Sequence, residues 1–239
     1  MDDNKNSNNL VSYKYTFKFK DGKEKEFIAN LDSNTLDLIT AQKNFYPKWT
    51  ELNFYKCSNC ALIETQSKYC PIAINLVDII YFFQNFISYE EVDIIIKTKA
   101  RTYFKHTSLQ NGLSSLIGIY MVTSGCPILE KLRPMVRFHL PFATIQETRY
   151  RVIAMYLLGQ HFLYKHGKTP DWDFKNLVKI YDDIRIVNRY FCKRLSHVEM
   201  EDANRNAVIE LDCFAEYISF SINENILNEI ELLFKAYLK

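Results

Sequence analysis

The sequence has no surplus of charge of either sign, no long apolar run and none of the common catalytic signatures. Thirty Lys and Arg stand against 28 Asp and Glu, a formal charge of +2, and the basic residues are scattered along the chain. Binding to phosphate backbones needs a concentrated positive face, so nucleic acid is not the expected partner. The longest apolar stretch, 72–86, is interrupted by Asn75, Asp78, Gln84 and Asn85, which excludes a membrane span there. Residues 1–9 are polar and acidic, without a positive segment leading into an apolar one. No secretory signal is expected, and 1–9 reads as a disordered terminus. A Gly-rich phosphate loop, a His-Glu-x-x-His pair and an Asp-rich calcium loop are all missing. Whether the chain is an enzyme stays open.

What is present suffices for folding: 48% of the 239 residues are hydrophobic and 15% aromatic, ample for a core and unlike a disordered chain. Residues 11–30 alternate aromatic and charged side chains on either side of Asp21-Gly22, which predicts a β-hairpin with Tyr13, Tyr15, Phe17 and Phe19 on its buried face. Segments 91–98 and 101–107 predict a second hairpin. A short helix is expected around 35–40, and 49–55 reads as a further strand. Pro71 at a first-turn position, followed by Ile72, Leu76, Ile79, Ile80 and Phe83, predicts a buried helix. From Leu109 the period is 3.6 until Ser124-Gly125. Further helices are expected over 144–165, 174–195 and 202–239, the last broken near 221–225. Asp171 or Asp173 would cap one of these helices, with Trp172 packed at its start, while Asp202, Asn204 and Asn206 would open the next. The expected class is α+β: a small antiparallel sheet of hairpins followed by a mainly helical, bundle-like part. The β-rich part with the cysteine loop and one helix spans 10–107, and the helical part 108–239, together one unit.

The strongest chemical signal is Cys57-Ser-Asn-Cys60, followed after nine residues by Cys70-Pro71. A two-residue gap lets both thiolates of a tight turn face one tetrahedral ion, and a third ligand some ten residues on fits a closed site. Cys126, in Ser124-Gly125-Cys126-Pro127, is the first choice for the fourth ligand, and His139 the second. Zinc suits such a site; two Cys-Pro pairs also suit an iron–sulfur cluster. The competing readings are a reduced Cys-x-x-Cys with a buried Cys70, or a redox-active pair. Cys192 and Cys213 read as core residues. Six cysteines without an export signal point to reduced thiols or metal ligands and to the cytoplasm.

A second concentration runs from Arg133 through Arg137, His139 and Pro141 to Glu147, Arg149 and Arg151. Arg133, Arg137, His139, Glu147 and Arg149 could form a cationic pocket for a carboxylate or phosphate. The plainer alternative is that these arginines pair with Glu130, Glu147 and Asp182 or Asp183.

Residues 107–151 carry Leu113-Ser-Ser-Leu-Ile-Gly-Ile-Tyr-Met-Val-Thr-Ser-Gly-Cys-Pro and Arg137-Phe-His-Leu-Pro-Phe. With the Cys57, Cys60 and Cys70 motif, this stretch resembles an uncharacterised bacterial family of unknown function, over most of the chain. The resemblance implies no reaction. The leading expectation is a metal-binding protein with a regulatory or interaction role, its partner left open between a protein and a small anion. The rival is an enzyme or small-anion binder using the arginine and histidine pocket.

Overall fold

Alternation in the first hairpin puts Tyr13, Tyr15 and Phe17 on one buried face of β1 (Leu10–Lys18). Its partner β2 (Glu24–Asp32) runs antiparallel, from Lys18 opposite Glu24 to Leu10 opposite Asp32. Gly22 closes the turn at φ +83°, a conformation that only glycine adopts freely. In this computed structural model, which describes residues 10–223 and 228–239, the second hairpin is β3 (Glu91–Lys97) and β4 (Thr102–Ser108). β3 pairs antiparallel with β1, so the sheet order is β2-β1-β3-β4. The inward residues Val92, Ile94 and Ile96 of β3 continue the buried face. The expected disordered terminus at 1–9, and part of the break expected at 221–225, lie outside the described residues.

That face is covered by helices. α1 (Pro71–Phe82) follows Pro71 as the proline predicts, and buries Ile72, Leu76, Ile79 and Ile80. Phe83, just after it, packs on Phe17 and Phe27 with ring centroids 5.1 and 5.5 Å apart. α2 (Leu109–Thr123) comes close enough to the sheet that a Cβ on Gly112 would stand 1.9 Å from Ile94 and 3.2 Å from Phe17. After a short α3 (Arg133–Arg137), α4 (Ile145–Lys165) starts with a capping box. The Thr144 hydroxyl accepts from the Glu147 N–H, while the Glu147 carboxylate accepts from the Thr144 N–H. α5 (Lys175–Leu195) and α6 (Ala203–Asn223) lie side by side, joined by ion pairs from Arg185 to Glu216 and from Arg189 to Asp212. α6 also packs on α2. A four-residue α7 (Asn228–Glu231) follows. One buried hydrophobic cluster runs from the sheet through α2 to α5 and α6, and the class is α+β as expected. Among the described residues no helix is long and apolar enough to cross a membrane.

Four local expectations fail, each for an identifiable reason. No helix forms at 35–40. The Asp32 carboxylate accepts from the N–H groups of Asn34 and Thr35, and Leu36 takes φ +59°. Together these turn the chain back, so that Leu38 bridges to Leu31. Residues 49–55 form two 3-10 turns, Lys48–Thr50 and Leu52–Phe54, instead of a strand; only Glu51 bridges to Tyr69. Trp172 is 53% exposed rather than packed, and α5 starts after Phe174 at φ +61°, with Asp171 accepting from the Asn176 N–H beyond it. Cys213 is exposed rather than in the core, whereas Cys192 is partly buried.

The close approach at Gly112 makes a prediction. Alanine gains up to about 1 kcal/mol of helix propensity, but overpacking a fully buried contact costs about 1–3 kcal/mol. Gly112→Ala should therefore lower stability in urea unfolding; a gain would show that Ile94 has room to move aside.

Candidate functional site

The stretch from Lys48 to Cys70 has little regular structure, so its backbone groups find partners one by one. The Cys60 N–H donates to the Cys57 carbonyl at 3.1 Å, closing a tight turn. The Cys70 N–H donates to the Thr50 carbonyl at 2.8 Å, and the Leu52 N–H to the Lys68 carbonyl at 2.9 Å, which folds the loop back to the start of α1. Asn59 donates to the backbone and side-chain oxygens of Asp183, pinning the loop to α5. Cys126 follows α2 through Gly125 at φ +92° and is buried.

Electrostatics tie these segments together. Burial pushes the Cys57 thiol up to about 12; Cys70, Cys60 and Cys126 add to the rise and Arg194 opposes it. Burial also raises the Cys70 thiol, while Arg194 and the N–H groups of Ala73 and Ile72 pull it down. For Cys126, burial again raises the pKa, opposed by the N–H groups of Leu129 and Ile128, with Cys70 and Cys60 adding to the rise. The four cysteines thus lie within electrostatic reach of one another. Among the described residues, however, no three or more His, Cys, Asp or Glu side chains are gathered closely enough to hold a metal ion.

Arg194, from the last turn of α5, is 2% exposed. Its Nη1 donates to the carbonyls of Trp49 and Glu51, and its Nη2 to those of Leu52 and Tyr55 at 3.1 and 2.9 Å. Burial lowers its pKa, and the ionisable groups that counter this are Cys70, Cys57 and Cys60. Among the described residues it forms no ion pair with a carboxylate. A buried cation beside thiols fits a thiolate-bound metal, whose net negative charge would balance it.

The five residues of the expected anion pocket do not share one site; only Glu147 and Arg149 line a common surface pocket. Arg133 pairs with Asp37 at 2.6 Å and more loosely with Glu130 at 3.9 Å, and donates to the Thr35 carbonyl. Arg137 is exposed. Glu147 is occupied by the α4 cap, and Arg149 is buried against Glu229 at 3.1 Å. Asp182 and Asp183 accept from Ser219 and Asn59 rather than from these arginines. His139 sits away from this set: its Nε2 is 2.8 Å from the Tyr15 hydroxyl and 3.2 Å from the Ser115 hydroxyl, and its ring meets Tyr13 edge-on. Ser115 therefore stands beside the imidazole like a nucleophile beside a base. Tyr15 shares the same nitrogen, though, and burial, with the Arg151 charge added, pushes the imidazole down to about 3. So weak a base makes this a hydrogen-bond node holding β1 to α2.

Sequence reasoning missed Arg194, Ser115 and Tyr15 as partners in these arrangements. For Arg194 a signal existed: it lies on the apolar stripe of α5 with Leu177, Tyr181, Ile184, Val187 and Phe191, where a charged residue needs a buried partner.

Fold and site together define an α+β chain in which a paired-hairpin sheet carries a cysteine loop clamped by a buried arginine from the helical part. The chain belongs to the family described as a domain of unknown function, DUF6901, which matches it over residues 12–235. No curated protein and no solved structure matches it.

The His139 node sets a pH dependence. An imidazole at about 3 in the folded chain and near 6.5 when unfolded binds its proton first in the unfolded state. Stability must then fall as pH drops from 6.5 towards 3, by up to about 1.4 kcal/mol per pH unit from this group. In urea unfolding at pH 7 and pH 5, the stability difference between wild type and His139→Gln should narrow by up to about 2 kcal/mol. An unchanged difference would show that the ring is hydrated in the folded state.

Proposed function

We propose that Cys57, Cys60, Cys70 and Cys126, which lie within electrostatic reach of one another but are not gathered closely enough to ligate, close together on one metal centre, zinc in first place and an iron–sulfur cluster as the alternative, and that the chain is a cytoplasmic regulatory or interaction protein. The observation that carries this reading is the buried Arg194 guanidinium, whose ionisable neighbours are Cys70, Cys57 and Cys60. A buried cation without an anionic partner is costly, and four thiolates on a divalent ion leave a net charge of −2. The N–H groups of Ile72 and Ala73, and of Ile128 and Leu129, face the sulfurs of Cys70 and Cys126. Such donors orient ligating thiolates and temper their charge. Six free cysteines among the described residues favour a reducing compartment.

A bound ion would supply cross-linking energy between the 57–70 loop, the start of α1 and the end of α2. The chain's own residues do the rest: Arg194 and Asn59 hold the loop against α5, with Cys126 buried and Cys57, Cys60 and Cys70 partly buried. Four protein ligands would leave no open position for substrate, the mark of a structural rather than catalytic site.

Elemental analysis with an absorption spectrum, on protein purified without oxygen or added metal, tests the reading directly. About one zinc per chain and no colour is the expected result; iron with a broad visible band would select the cluster instead. Cys60→Ser should lower the metal content and the melting temperature together. Absence of metal from both proteins, with equal melting temperatures, would overturn the proposal.

A further inference from the structure

A cavity of about 260 Å³ lies among α2, α4, α5 and α6, bounded on one side by the 129–143 stretch. Its volume is near the lower end of small-molecule sites, roughly 300–1,000 Å³. Most of the wall is apolar, including Val122, Leu132, Phe214 and Ile218. Of the polar side chains that line it, Asn188, Glu210 and Arg151 set its chemistry. Asn188 is 1% exposed, and its Nδ2 has no hydrogen-bond partner among the described residues. Glu210 Oε2 is likewise buried and unpartnered. Arg151 donates through Nη2 to the Met135 and Phe138 carbonyls at 3.1 and 2.7 Å, and among the described residues it forms no ion pair.

Unpartnered polar groups destabilise a fold unless something else satisfies them. Asn188 occupies the apolar stripe of α5, where an apolar side chain would leave no donor unsatisfied. The three groups differ in what they require. Asn188 Nδ2 can only donate, Glu210 Oε2 can accept, and Arg151 suits a carboxylate. A hydroxyl is the smallest organic group able both to accept from Asn188 and to donate to Glu210. An amine is the poorer choice, because Lys105 lines the same cavity and already acts on the Glu210 carboxyl.

We infer that this cavity binds an amphipathic organic acid, its carboxylate against Arg151, its apolar body along the wall, and a hydroxyl between Asn188 and Glu210. The site uses none of the four cysteines, so it stands or falls independently of the metal reading.

The test is calorimetric titration of the full chain with 10-hydroxydecanoate, decanoate and decan-1-ol. The hydroxy acid should bind most tightly, and decan-1-ol about tenfold or more weaker than decanoate, since it lacks the charge-assisted contact. Asn188→Leu should melt no lower than wild type, yet bind 10-hydroxydecanoate about tenfold less tightly and decanoate as before. Ala215→Phe, which takes up cavity volume at the α6 wall, should abolish binding of both acids in protein whose circular dichroism shows it folded. Failure of wild type to bind either acid, equal affinity for the alcohol, or a lower melting temperature for Asn188→Leu would each overturn the inference.

Discussion

Four backbone carbonyls of an irregular stretch converge on the guanidinium of Arg194, and the seating of that stretch depends on it. Between Lys48 and Cys70 the chain forms only two 3-10 turns and a single bridge, so its buried carbonyls have few backbone donors. A buried carbonyl without a donor is expensive. The planar guanidinium supplies several donors in a fixed fork, which an ammonium cannot match. Through the bond from the Cys70 N–H to Thr50, the same contact sets where α1 begins. The seating of α1 over the sheet is therefore coupled to a side chain from α5, more than 120 residues downstream.

α5 does this work with an unusual buried face. Tyr181, Asn188 and Arg194 share the stripe with Leu177, Ile184, Val187 and Phe191. Tyr181 and Asn188, seven residues and two turns apart, line the cavity, while Arg194 reaches the cysteine loop. α2 is the matching element opposite: Ser115 and Gly118 line the cavity, and Cys126 follows its end. Two helices thus frame both features, one with small residues that permit close approach and the other with polar groups that reach across.

How much of this the sequence discloses depends on the range of the interaction. Both hairpins and the main helices are legible, because alternation, Asp21-Gly22, Pro71 and the Thr144–Glu147 box are local signals of strong period or fixed spacing. The stretch from Asp32 to Tyr55 is not. There, a side-chain turn at Asp32, a left-handed Leu36 and carbonyls aimed at Arg194 override propensity. His139 is conspicuous in sequence for its prolines and arginines, yet its partners are Tyr15, 124 residues away, and Ser115, 24 away. The arginines beside it scatter to Asp37 and Glu229, which no local pattern marks. Polar residues on the α5 stripe are the one readable sign of long-range pairing, and they identify the helix rather than the partner.

The cysteine loop and Arg194 carry penalties of opposite sign. Burial and mutual repulsion hold Cys57, Cys70 and Cys126 in their neutral thiol form, while burial disfavours the charged form of Arg194. Each penalty shrinks if the other group ionises, because a thiolate beside a guanidinium is a compensated pair. Arg194 cannot give up its proton in this setting: its donors are committed to four carbonyls, and guanidinium stays charged at any accessible pH. The adjustable partners are therefore the thiols. A cation that replaces their protons would relieve the repulsion among them and leave a net negative charge facing Arg194. Among the described residues, the fixed positive charge of Arg194 lies within electrostatic reach of Cys57, Cys60 and Cys70, so the thiols and the guanidinium are stabilised or penalised together.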